Sequence, residues 1–302
     1  MKQFLQKVSL YSTLFILCII CLILIASFFA NHTPFTIDRQ KNILIIGDSQ
    51  TECAIDDNIF SRAKNYSTSA TPYIYAFAKL KKIIRDNKHI DTILLSFHPG
   101  SLDYSLERRW IFEESFIAER SAVMVPFLDL RDLSLFISST PFYKAMAKTP
   151  MKYLEYAVYM GAGNAEGWRR KNIGAYLALK NNSVEADLKG KEPYASLTDT
   201  DTLSQVQLNY LLKIVDYCKE QGLALILVNT PKYKYDQYND YKTFEEYRKK
   251  YLSGIPLLNY SDFPLQDSDY ADLGHLNENG ARAFSEYIQS QISNDLREKD
   301  NE

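Results

Sequence analysis

Apolar runs and helical repeats alternate along much of this 302-residue chain. Apolar runs of strand length occupy residues 43–46, 92–97, 223–228 and 256–260. Apolar residues recur at helical spacing in the intervening and following stretches, at residues 74–84, 203–218 and 284–292. Strands that alternate with helices indicate an α/β domain with a mostly parallel sheet and helices on both of its faces.

The middle of the chain breaks this alternation. Residues from about 104 to 196 are mostly helical in character and are interrupted by Pro126, Pro141 and Pro150. Because this stretch lies between two predicted strands, we interpret it as a helical insertion on the loop edge of the sheet.

The N-terminus predicts a membrane anchor. Residues 10–30 carry no charge, and about 20 apolar residues suffice for a helix to cross a bilayer. Lys2 and Lys7 precede this run, so the positive-inside rule keeps residues 1–8 in the cytoplasm. We therefore expect a transmembrane signal anchor over 9–30, a tether over 31–40 and an extracytoplasmic domain over 41–302. A cleaved signal peptide is the alternative, although cleavage after Ala30 would place the large Phe28 where a small residue is needed.

Net charge, metal-ligand spacing and cysteine content give no reason to expect nucleic acid, a metal or a disulfide. The net charge of −2 gives no broad electrostatic reason to expect nucleic-acid binding. No spacing typical of metal ligands occurs, and the chemistry predicted below needs no cofactor. Outside the anchor only Cys53 and Cys218 remain, and we expect buried free thiols rather than a disulfide.

Two distant segments supply the parts of a serine nucleophile. Ser49 follows the buried run 43–46, and the segment Asp272-Leu-Gly-His275 follows the last predicted strand. Ligand sites of parallel sheets lie beyond the carboxyl ends of the strands, so both segments are expected at one edge. Ser49 is then a nucleophile, His275 its base, and Asp272 the acid that orients the imidazole. The alternative is a capping serine in an ordinary turn and a histidine on the surface.

These two segments resemble signature blocks of the SGNH/GDSL hydrolases. The resemblance rests on Ile46-Gly-Asp-Ser-Gln-Thr51 and Asp272-Leu-Gly-His-Leu-Asn-Glu-Asn-Gly-Ala281, and covers about 40–100 and 200–295. It implies a flavodoxin-like three-layer α/β/α fold with ester-cleaving or acyl-transferring activity. The layout of one anchor and an outer domain is similar to bacterial envelope acyl-transfer proteins of the alginate O-acetyltransferase and D-alanyl-lipoteichoic acid groups.

The segments that would complete the oxyanion site depart from the family pattern. The glycine and asparagine donors of the family fall near Asn65-Tyr-Ser-Thr-Ser69 and Phe97-His-Pro-Gly100. We expect the backbone N–H of Ser49, with His98, Ser67, Ser69 or another backbone N–H, to contact an oxyanion or substrate; the alternative is weak activity.

The expected activity is serine-dependent ester hydrolysis or acyl transfer on cell-envelope glycan or lipid-linked substrates. The alternative is an SGNH-like protein of weak or no activity that binds or assembles with an envelope partner. In either case a multi-spanning membrane protein that donates acyl groups is a candidate partner.

Overall fold

The structure is a computed structural model. It describes residues 1–32, 35–104, 107–124, 127–137, 140–148, 172–190, 203–233 and 241–299, with 152, 154–155, 158–159 and 162–163. Two compact units are present: one comprises residues 1–35 and 109–172, and the other comprises 36–108 and 173–302.

The helices and strands of the described residues follow in chain order, interrupted by a π-helical turn at Glu107–Ile111 and a 3₁₀ turn at Asp267–Asp269. The elements are α1 (Lys2–His32), β1 (Ile43–Ile46), α2 (Ser49–Ala54), β2 (Ala63–Asn65), α3 (Tyr73–Asp86), β3 (Thr92–Ser96), α4 (Glu114–Met124), α5 (Leu130–Ile137), α6 (Thr140–Lys148), α7 (Val184–Gly190), α8 (Gln205–Glu220), β4 (Ala224–Asn229), α9 (Tyr241–Tyr251), β5 (Leu257–Asn259) and α10 (Glu278–Lys299).

A five-stranded sheet of order β2-β1-β3-β4-β5 forms the centre of the second unit. Every pair of neighbouring strands is parallel. This is the flavodoxin-like order, in which the chain reverses its direction across the sheet between β1 and β3. The reversal leaves a crevice at the carboxyl ends of β1 and β3, where ligands bind in this class of sheet.

Both faces of the sheet are covered. All of β1 is buried, and successive side chains of a strand point to opposite faces. Ile43 and Ile45 belong to a core cluster that includes Phe284 and Ile288 of α10. Helices α3 and α8 pack against each other, and α10 packs against α2. The predicted α/β fold with a mostly parallel sheet and flanking helices is confirmed.

The unit of residues 1–35 and 109–172 is helical in its described parts. Within α1, the segment Lys2–Leu22 is long and apolar enough to cross a membrane by length and composition, with a mean hydropathy of 1.9. Phe35 is buried, and its ring lies edge-on to that of Phe127, with centroids 6.0 Å apart. Residues 104–196 were expected to form one helical insertion. Their described part contains α4–α7 but also the stretch 174–183, which has no regular secondary structure, and residues 191–196 lie outside the described residues.

The segment that follows β3 pairs with the segment that precedes α8. Asp103 and Leu203 form an antiparallel bridge. Next to this bridge, the N–H of Ser204 donates to the carbonyl of Leu102 at 2.8 Å. Residues 102–103 and 203–204 therefore join the two ends of the long connection.

The irregular stretch 174–183 contacts both α2 and the loop that carries His275. The N–H of Leu177 donates to the carbonyl of Glu52 in α2 at 3.0 Å. Further along, the N–H of Ser183 donates to the carbonyl of Ala271 at 2.8 Å. This stretch thus holds α2 at one end and the loop before α10 at the other.

Candidate active site

Ser49 begins α2 immediately after a tight turn at the end of β1. A Cβ atom at Gly47 would lie 2.3 Å from Cβ of Ser96 and 2.5 Å from Oγ1 of Thr51, so only glycine fits there. Asp48 is the N-cap of α2, and its Oδ1 accepts the N–H of Gln50 at 3.1 Å. The N–H of Ser49 belongs to the first turn, whose amide groups have no acceptor within the helix. The turn therefore presents both the hydroxyl and the N–H of Ser49 at the sheet edge.

Ser49, His275 and Asp272 meet at this edge in hydrogen-bonding order. Oγ of Ser49 lies 2.8 Å from Nε2 of His275. Nδ1 of the same ring lies 3.0 Å from both carboxylate oxygens of Asp272. Asp272 Oδ1 also accepts the N–H of Gly274 at 2.7 Å and that of His275 at 2.9 Å. A carboxylate can only accept, so Nδ1 carries the proton and Nε2 is left to accept the serine proton.

The electrostatics of the pair suit a base and its orienting acid. Burial disfavours the charge on Asp272, but the hydrogen bond and charge of His275 and two backbone N–H groups lower its pKa overall. Burial likewise works against a charged His275, yet the hydrogen bond and charge of Asp272, with the charge of Asp48, raise its pKa above the ordinary value. Both side chains remain partly exposed, so a substrate can reach them.

A second aspartate–histidine pair lies next to Ser49 and includes Asp48, the N-cap of α2. Nε2 of His98 lies 2.8 Å from Oδ2 of Asp48, and its Nδ1 lies 2.6 Å from the carbonyl oxygen of Pro99. Ser96 donates its hydroxyl to Asp48 Oδ1 at 2.9 Å. Burial alone would raise the pKa of Asp48, but the charge and hydrogen bond of His98, with bonds from Ser96 and Gln50, hold it well below its usual range.

This pairing overturns the expectation that His98 donates to an oxyanion. Both of its ring nitrogens face oxygen acceptors, and its backbone N–H donates to Oγ of Ser101 at 2.9 Å. His98 therefore has no N–H left for a substrate. It fixes the carboxylate that caps α2.

Ser67 and Ser69 also use their hydroxyl groups within the protein. Ser67 is fully buried, and its Oγ lies 2.8 Å from Oγ1 of Thr51. Ser69 donates its hydroxyl to the carboxylate of Glu52. Both bonds hold the loop after β2 against α2, so neither hydroxyl takes the expected role of oxyanion donor. The N–H of Ser49 lies in the first turn of α2, where the helix supplies no acceptor, so it can donate to an oxyanion.

Two features of the site were missed from the sequence. Ala70 adopts φ +51°, the one non-glycine residue with positive φ in the described part of the chain. No sequence signal marks an alanine for this left-handed conformation, which glycine adopts more readily. Gln50 donates its side-chain amide to the carbonyl of Gly274 at 3.0 Å, which joins the two site segments. Its position next to Ser49 was the only available hint.

The described residues contain no group of three or more His, Cys, Asp or Glu side chains that could hold a metal ion. Cys53 and Cys218 are buried free thiols, as expected.

Comparisons with known proteins do not assign a function to this chain. A family model that carries no functional description matches residues 188–297, little more than a third of the chain. No curated protein matches the sequence.

Two solved structures from Bacteroides align over most of the chain. One, from Bacteroides fragilis and assigned as an acylhydrolase, covers 88% of this chain and 93% of its own, at 10% identity and a TM-score of 0.38. The other, a GDSL-like lipase from Bacteroides thetaiotaomicron, covers 89% of this chain and 99% of its own, at 9% identity and a TM-score of 0.37. At these scores the fold assignment rests on the order and direction of the strands, not on the two neighbours.

Proposed function

We propose that this protein is a serine esterase or O-acyltransferase that forms an acyl-enzyme on Ser49. The observation that carries the proposal is the 2.8 Å contact between Oγ of Ser49 and Nε2 of His275, with Asp272 3.0 Å behind the imidazole. A hydroxyl, a base and an orienting acid in this order are the arrangement that activates serine for attack on a carbonyl.

The reaction proceeds in two transfers. Oγ of Ser49 attacks the ester carbonyl while its proton passes to Nε2 of His275, and the carbonyl oxygen becomes an oxyanion. The N–H of Ser49 donates to that oxyanion. Collapse of the intermediate breaks the ester bond, and His275 returns the proton to the leaving oxygen. The second acceptor, water in an esterase or a sugar hydroxyl in a transferase, then attacks the acyl carbonyl while His275 takes its proton. Collapse of this second intermediate breaks the bond to Oγ of Ser49, and His275 returns the proton to Oγ.

Location suggests the substrate class. The apolar helix α1 would anchor the chain in the cytoplasmic membrane, with Lys2 and Lys7 inside and the catalytic unit in the periplasm or outside the cell. Substrates there would be acyl esters of envelope glycans or lipid-linked intermediates. A multi-spanning membrane protein is the proposed source of the acyl group.

Labelling with a fluorophosphonate probe tests the proposal directly. The full-length chain in detergent is expected to react covalently at Ser49, and Ser49→Ala is expected to abolish the adduct. Ser61→Ala, which changes an exposed serine, is the matched control and should label like the wild type. Absence of a specific adduct on the wild-type chain would refute the enzymatic proposal. An activity screen with short acyl esters, with and without sugar acceptors, then separates hydrolysis from transfer.

A second candidate function is a non-catalytic envelope binding or assembly partner. The observation that favours it is the engagement of His98, Ser67 and Ser69 elsewhere, which leaves these three side chains unable to donate to an oxyanion. Since one oxyanion donor is worth roughly 100- to 1000-fold in rate, such a site would be slow. Equal lack of labelling in the wild type and in Ser49→Ala would favour this function.

A further inference from the structure

Gln50, the residue after the proposed nucleophile, connects two otherwise distant segments. Its side chain is only 9% exposed although it lies at the edge of the sheet. Nε2 donates to the carbonyl oxygen of Gly274 at 3.0 Å. Oε1 receives a long contact from the hydroxyl of Thr230, just after β4, at 3.5 Å. The amide therefore lies between α2, the end of β4 and the loop that carries His275.

The loop of residues 271–275 depends on such contacts because it has no regular secondary structure. Three of its other carbonyls also accept hydrogen bonds: that of Ala271 from the N–H of Ser183 at 2.8 Å, that of Leu273 from the N–H of Tyr233 at 3.2 Å, and that of His275 from the N–H of Ala271 at 2.9 Å. These bonds fix the loop to the stretch 174–183, to the segment after β4 and to itself. The bond from Gln50 fixes it to the helix that begins with Ser49, at the residue immediately before the base.

This connection matters most when the serine itself cannot hold the imidazole. In the free protein, Ser49 and His275 are joined by their own hydrogen bond. Once Oγ has bonded to the carbonyl carbon of the substrate it has no proton to donate, and that bond is lost. His275 must nevertheless stay in place to protonate the leaving group and then to activate the second acceptor. The bond between Gln50 and Gly274 involves no reacting atom and survives acylation.

We propose that Gln50 is a positioning residue that holds His275 over Ser49 throughout the acyl-transfer cycle. This inference rests on the proposed function for its catalytic consequence, but the contact can be tested without turnover. Gln50 contacts no reacting atom, so its effect passes through the backbone of Gly274 to the neighbouring imidazole.

Gln50→Met tests the proposal because methionine has a similar length and no donor. Gln207→Met is the matched control: Gln207 is 3% exposed, and its Nε2 donates to the carbonyl of Ser101 at 3.4 Å. We expect fluorophosphonate labelling to slow by roughly 10- to 100-fold in Gln50→Met, the scale of a small misplacement of a catalytic group. Gln207→Met should change the labelling rate by less than about threefold, whatever stability it loses.

A double-mutant cycle separates positioning from general destabilisation. If Gln50 acts through the imidazole, Gln50→Met should add less than about twofold to the effect of His275→Ala, because the effects of residues that act through one network are not additive. An effect of Gln50→Met as large in the His275→Ala background as in the wild type would overturn the proposal.

Nuclear magnetic resonance of the His275 ring gives a readout that does not need activity. In full-length protein with ¹⁵N-labelled histidine, Gln50→Met should shift or broaden the Nδ1–H signal of His275, and Gln207→Met should leave it unchanged. Unchanged His275 signals in Gln50→Met would refute the positioning role. Failure of the wild-type chain to label, with the expected change in the His275 signal, would refute the acyl-enzyme and leave the positioning role standing.

Discussion

Replacing Asp272 with asparagine tests whether the carboxylate sets the proton position on His275. Oδ1 of Asp272 accepts two backbone N–H groups, from Gly274 at 2.7 Å and from His275 at 2.9 Å. In Asp272→Asn those donors hold the amide oxygen at the Oδ1 position, so the NH₂ group takes the place of Oδ2. Nδ1 of His275 lies 3.0 Å from both positions, so in the variant it faces an oxygen and an NH₂ group. A donor then competes with the acceptor at Nδ1, and when the NH₂ group donates to Nδ1 the ring proton must lie on Nε2.

The expected loss is large because this tautomer cannot accept the proton of Ser49. The same exchange in a serine protease, a documented case, lowers kcat by about 10⁴-fold. We expect a loss of about 10³- to 10⁴-fold in the labelling rate here, or about 4 to 5.5 kcal/mol at 1.36 kcal/mol per decade. The pKa of His275 should also fall, because burial still disfavours its charge while the hydrogen bond and charge of Asp272 are gone.

The assay is the second-order rate of fluorophosphonate labelling between pH 5 and 9, with folding checked by circular dichroism. Asp216→Asn, on the exposed face of α8, is the control and should match the wild type at every pH. The reasoning is refuted if folded Asp272→Asn labels within about tenfold of the wild type with the same pH midpoint.

Further predictions concern the pH profile, the core and the thiols. His275 must be neutral to accept a proton, and its pKa is raised. The wild-type labelling rate should therefore rise with pH, with a midpoint above the ordinary histidine pKa of about 6.5. A midpoint at or below that pKa would contradict the effect of Asp272 and Asp48 on the imidazole. Phe284→Ala should lower the free energy of unfolding, measured in urea, by about 3–5 kcal/mol, because the Phe284 side chain is 0% exposed. Tyr287 is 37% exposed on the same helix, so Tyr287→Ala should lower it by less than half as much. Equal losses would count against the core described here. Burial raises the pKa of Cys218 to about 12, and burial also raises the pKa of Cys53 above its ordinary value. Neither thiol should therefore react with iodoacetamide at pH 8 until the protein unfolds, and mass spectrometry of the digested protein would reveal any earlier reaction.

The sheet was predictable where hydrophobic pattern alone decides the strand. Strands β1, β3, β4 and β5 are apolar runs, and each lies within about one residue of its expected bounds. Strand β2 was missed because Ala63–Asn65 is three residues long and includes a lysine and an asparagine. It is a strand because it pairs with β1, a tertiary contact that the local sequence pattern does not predict.

The site divides in the same way. Ser49, Asp272 and His275 could be expected at one edge because parallel strands bring their carboxyl ends together. The sequence could not show whether His98 is free to donate to a substrate, since that depends on the carboxylate of Asp48, fifty residues earlier in the chain. Hydrogen-bond competition of this kind is decided only when the folded chain brings donor and acceptor into contact.

The joined ends at residues 102–103 and 203–204 have an evolutionary consequence. Because Leu102 and Ser204 are hydrogen-bonded, the chain departs from the sheet and returns to it through a closed neck. We expect length changes in residues 109–172, which lie outside the unit that holds the sheet, to leave the pairing of residues 102–103 with 203–204 in place. Relatives with the same sheet are then expected to differ in the length of this excursion.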